Sequence, residues 1–208
     1  MSSSENKKVL WINSCPSSMT YITEGFHYYL TKEHPEHNAE YHWLRLGDLE
    51  RFKNNEDELS EDAKEVITEI ELEEYDFETI LNTIANYDVV IISGVLNRED
   101  LKAILNNDCK EISETFAIKI LENLNKMENR PKTVIYTPYA ELFDILNCYY
   151  EVYLRSERGN ERIFCEHYLS IASSLFSASR SKELMNIIEN APRISEVKQN
   201  KDAALGAK

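Results

Sequence analysis

The segment Tyr87-Asp-Val-Val-Ile-Ile-Ser93 constrains this chain more than any other. Four β-branched apolar residues in a row, Val89 to Ile92, have no polar alternation, so neither side of an extended strand is left for water. Too short for a helix of ordinary length, the run predicts a central parallel strand covered on both faces. A sheet of that kind needs helices on either side and crossover connections between strands.

The rest of the sequence supplies them. Lys8-Val-Leu-Trp-Ile-Asn13 predicts a first buried strand, and Tyr41 to Leu46 alternates as a second. Residues 131–138 predict a further strand and 149–154 a fifth. Helical spacing joins Tyr21, Ile22, Phe26, Tyr29 and Leu30, and Pro35 stops that helix. Further helices are expected over about 77–86, 99–106, 111–127 and 166–190. Strands alternating with helices predict an α/β domain, a three-layer flavodoxin-like sandwich on a five-stranded parallel sheet. A chain of 208 residues is long enough for one such domain, expected over 8–192, with a disordered start at 1–7 and a flexible tail at 193–208.

Charge is unevenly placed. The formal net charge is −14, and the segment from Asp48 to Glu78 carries fourteen acids against Arg51, Lys53 and Lys64. This predicts a solvated helical insertion over about 50–78, helical from Ser60 as N-cap. The acidic balance speaks against nucleic acid, whose phosphates call for surplus Lys and Arg. No run reaches the roughly 18 apolar residues of a membrane helix, and the first residues lack a signal peptide's apolar segment, so a cytoplasmic protein is expected. Cys15, Cys109, Cys148 and Cys165 are widely spaced and read as reduced thiols. Neither they nor the five histidines form a metal-ligand pattern, so no metal is expected.

In an open parallel sheet the ligand lies beyond the carboxyl ends of the strands, where strand order reverses. The loops after the first, third and fourth expected strands are therefore the candidates. The first, Ser14-Cys-Pro-Ser-Ser-Met-Thr20, is rich in hydroxyls and opens onto a helix N-terminus. Free amides and the helix dipole there favour an anion, and Ser14, Ser17, Ser18 and Thr20 add donors suited to a phosphate monoester. The bland alternative is that Ser17 or Ser18 caps the helix. Cys15 invites comparison with Cys-based phosphoryl transfer, but the position where such a loop ends in arginine is Tyr21.

In the order of these elements the chain resembles the flavodoxin-like NAD(P)H-dependent FMN reductases and quinone reductases over most of residues 8–190. The hydroxyl-rich loop after the first strand matches in place. After the third strand the family commonly carries P-x-Y-N followed by L-K; here stand Gly94-Val95-Leu96-Asn97 and then Leu101-Lys102. Asn97 and Leu101-Lys102 match that pattern, whereas Gly94 and Leu96 replace the proline and the aromatic residue. The resemblance implies FMN as cofactor, with its phosphate at Ser14, Ser17, Ser18 and Thr20. Its ring would lie near Gly94, Val95, Leu96, Asn97, Thr137 and Tyr139. It further implies NAD(P)H and a quinone or similar small electron acceptor as partners, and a homodimer. No individual catalytic residue is assigned, because hydride passes between cofactors held in contact. Leu96, Pro138 and the acidic insertion support an alternative: a relative that has lost flavin and serves as a protein-interaction or phosphate-ligand-binding module.

Overall fold

The computed structural model describes residues 6–13, 39–46, 61–93, 96, 98–106, 115–124, 126–127, 130–137, 167–170 and 185–194. In chain order these give β1 (Lys7–Asn13), β2 (Ala39–Arg45), α1 (Glu61–Val66), β3 (Thr68–Ile70), α2 (Phe77–Ile84) and β4 (Val89–Ser93). There follow α3 (Arg98–Asn106), α4 (Phe116–Leu124), β5 (Lys132–Thr137), β6 (His167–Ser170) and a helical segment over 185–190, here α5.

The strands among the described residues all pair in parallel, in the order β3-β2-β1-β4-β5-β6. The five strands β2-β1-β4-β5-β6 run in the 2-1-3-4-5 order of the flavodoxin-like fold. The three-residue β3 widens that sheet at the β2 edge.

Strand pleating turns the apolar runs into two cores. Leu10, Ile12, Leu44, Val90 and Ile92 pack on one face with Ile80 and Ile84 of α2 and with Ala117, Ile118, Ile120, Leu121 and Leu124 of α4. Val9, Trp11, Tyr41, Trp43, Val89, Ile91 and Val134 pack on the other, against Ala63 of α1, Ile67, and Met185, Ile187 and Ile188 of α5. The expected three-layer α/β architecture is thus the observed one. Val89 to Ile92 are fully buried. Burying each such side chain stabilises by about 1.5–3 kcal/mol, which makes this run the natural middle of the sheet.

Local signals set the helix ends. Asp76 is the N-cap of α2, its carboxylate accepting from the amides of Glu78 and Thr79, both at 2.9 Å. Phe77 meets Phe116 edge-on at 5.5 Å, joining α2 to α4. At the far end of the chain, the Lys7 ammonium donates to the carbonyls of Ile188 (2.9 Å), Glu189 and Ala191 (2.8 Å). These carbonyls lie at the C-terminal end of α5, where the Ala191 amide also donates to that of Ile188 at 3.3 Å and a cation suits the negative end of the helix dipole.

Two expectations change. The acidic stretch is not helical throughout: α1 ends at Val66 and Thr68-Glu-Ile pairs with His42-Trp-Leu of β2 as an edge strand. Residues 167–170 are a strand paired with β5, not the start of a long closing helix; among the described residues of that stretch, 185–190 are helical. Ile194 is buried, and its amide donates to Asp88. The fifth strand expected at 149–154 lies outside the described residues.

Candidate functional site

The chain leaves β1 outward to β2 and β3, then returns to the opposite side of β1 as β4. Strand order therefore reverses between β1 and β4, and the crevice beyond their carboxyl ends is the candidate site. The register Ile12↔Ile92 brings the next residues, Asn13 and Ser93, to the mouth of that crevice. Both end apolar strands, and both are buried, at 4% and 3% exposure. Polar residues at such positions must be hydrogen-bonded, and sites of this kind place a few polar groups on an apolar frame.

Arg45 adds a cation. It pairs in register with Asn13 and lies 6.0 Å from the centre of the Trp43 ring. By strand alternation Asn13, Arg45 and Ser93 belong to one face, that of Trp11, Trp43 and Ile91. Trp43 supports this rim from below: its indole N–H donates to the Asn13 carbonyl at 3.2 Å, and the Leu46 amide donates to the same oxygen at 3.1 Å. The end of β1 is thus fixed immediately before the hydroxyl-rich segment begins.

Of the residues proposed from sequence, Leu96 and Thr137 are described. Leu96 is 1% exposed and sits in the α2/α4 core, while its amide donates to Asp100 Oδ2 at 3.1 Å. Thr137 ends β5 and pairs with Ser170. Ser14, Ser17, Ser18, Thr20, Gly94, Val95, Asn97 and Tyr139 lie outside the described residues. Sequence reading missed Asn13, Arg45, Ser93 and Asp100. The available signal is a polar residue terminating each apolar strand, Asn13 after Ile12 and Ser93 after Ile92.

The residues around the crevice suit a polar, anionic guest: two buried polar side chains and a guanidinium share one rim. The Leu96 amide, being committed to Asp100, is not a free donor to a ring. Among the described residues no cluster of three or more His, Cys, Asp or Glu could hold a metal ion. Nor is any helix among them long and apolar enough to cross a membrane. Set beside family models, curated proteins and solved structures, the chain matches none.

Proposed function

We propose that the protein binds a phosphate-bearing ligand, FMN first, in the β1/β4 crevice and uses it for NAD(P)H-dependent reduction of a quinone or similar small acceptor. The observation that carries this reading is the reversal of strand order at β1 and β4, directly before the segment Ser14 to Thr20. Hydroxyls from that segment, with Arg45 on the neighbouring strand end, have the chemistry a phosphate monoester requires. When bound, the flavin supplies hydride acceptance and donation. The chain's part is to hold the phosphate, fix the strand ends and shape the crevice. A cytoplasmic setting and a homodimer accompany this proposal.

A second reading has its own support. Leu96 stands where the FMN reductases bring an aromatic residue toward the ring, yet its side chain fills the core and its amide serves Asp100. That favours a flavodoxin-like protein without flavin chemistry, binding another phosphate ligand or a protein.

One experiment separates the two. Purified protein is inspected for flavin absorbance, titrated with FMN and assayed for NADH and NADPH consumption with a quinone. Saturable FMN binding with turnover supports the oxidoreductase; no binding in excess FMN removes it. Ser17→Glu with Ser18→Glu should abolish binding while leaving the circular dichroism spectrum unchanged.

A further inference from the structure

We infer that Arg45 selects the dinucleotide by taking a phosphate on its adenosine ribose, so that the crevice accepts NADPH in preference to NADH. The inference rests on the proposed function for the presence of a dinucleotide and adds which one it is. With β3 counted, the sheet runs β3-β2-β1-β4-β5-β6, the strand order of dinucleotide-binding sheets, whose ligand lies across the point of reversal. The resemblance puts the flavin ring on the β4 and β5 side, where Thr137 ends β5. The β2 side is left for the adenosine half. Strands lie about 4.8 Å apart, so the ends of β2 and β5 are separated by about 14 Å, a span that an extended dinucleotide covers.

Arg45 is what the β2 side offers such a ligand. It is the last residue of β2, half-buried, on the same face as Trp43. The backbone around it is fixed to β1. The Trp43 indole and the Leu46 amide, from either side of Arg45 in the chain, both donate to the Asn13 carbonyl, at 3.2 and 3.1 Å. The guanidinium carbon lies 6.0 Å from the centre of the Trp43 ring, and an aromatic face steadies a guanidinium without using its N–H donors. An unmodified ribose is met in such sheets by a carboxylate that accepts from its hydroxyls, whereas a guanidinium only donates. Its planar fork matches a phosphate monoester, and its charge complements the dianion. Anchored at the strand end, it is already in place when the ligand arrives.

Purified protein, with and without saturating FMN, is titrated calorimetrically with NADP+ and with NAD+, and separately with FMN. The unaltered chain should bind NADP+ at least about tenfold more tightly than NAD+. Arg45→Gln should bring that ratio close to one. Arg45→Lys, which keeps the charge without the fork, should fall between the two. Circular dichroism checks the fold of each variant, and Arg45→Lys carries the comparison if Arg45→Gln fails to fold.

NAD+ bound by the unaltered chain as tightly as NADP+ overturns the inference while leaving a dinucleotide site standing. So does an Arg45→Gln variant that keeps the preference for NADP+, or one that loses affinity for FMN alone, which would give the guanidinium to the flavin phosphate. If neither dinucleotide binds in either state, the proposed function fails first and takes this inference with it.

Discussion

Asp88 reaches across 106 positions of sequence to accept the amide of Ile194 at 2.8 Å, while its second oxygen accepts the amide of Lys8 at 3.0 Å. The residue is 8% exposed, and its own amide and carbonyl bond to the Lys8 carbonyl and the Lys132 amide, both at 2.9 Å. One aspartate therefore links β1, β4, β5 and Ile194 at the amino-terminal rim of the sheet.

Removing it leaves buried donors without acceptors. Asp88→Ala should destabilise the fold by about 2–4 kcal/mol, and Asp88→Asn, which keeps one acceptor, by less. Urea denaturation followed by circular dichroism measures both. Equal stability of Asp88→Ala and the unaltered chain would show that the latch contributes nothing.

Asp76 gives a pH prediction. The Thr79 hydroxyl, then the Thr79 amide and the Glu78 amide, hold its carboxyl below the usual aspartate range. A depressed folded-state value means that its contribution is complete above the unfolded pKa. That contribution disappears as pH falls through the folded value. Helix α2 should fray in acid below about pH 4, and Asp76→Asn, an N-cap that does not titrate, should lose that part of the acid response. Amide exchange in α2 between pH 5 and 3 reads it directly.

Alkali should act through buried tyrosines. Burial, with a smaller push from Glu40, raises the Tyr87 phenol to about 12, and burial with Glu189 raises Tyr41 further still. The folded state holds these protons more tightly, so stability falls as pH climbs from the ordinary tyrosine value near 10 toward 12. Absorbance titration should show late-ionising tyrosines, one fewer in Tyr87→Phe. That variant should also lose less stability between pH 10 and 12; an unaltered alkaline profile would refute the assignment.

Trp43 is fully buried, with its indole N–H on the Asn13 carbonyl. Trp43→Phe should cost about 1–3 kcal/mol from the lost hydrogen bond and volume. Because Trp43 touches the last residue of β1, a ligand in the crevice should also alter tryptophan emission. The chain has two tryptophans, so Trp11→Phe isolates the Trp43 signal. Bound FMN that leaves this emission unaffected would place the ligand elsewhere.

The sheet was legible wherever burial on both faces made a continuous apolar run. Residues 8–13 and 87–93 announce β1 and β4 within a residue or two, and 131–138 brackets β5. β3 was not legible, because Thr68-Glu-Ile has only Ile70 turned inward and stands among acids that read as a solvated helix. Its strand state comes from pairing with β2 across a long stretch of sequence. β6 was masked differently: Leu169, Ala172 and Phe176 repeat at helical spacing, yet His167 to Ser170 pair with β5. Tertiary pairing outweighs local periodicity in both places. The site was half legible. Its rim follows from strand order, but that Asn13, Arg45 and Ser93 share a face requires the register, which no single segment carries.

The Lys7 and Asp88 bonds bring the start of β1 and Ile194 together on the rim away from the crevice. Anything fastened at either place, whether a fluorophore, a surface tether or a fused neighbour, would stand behind the sheet and leave its mouth open to solvent.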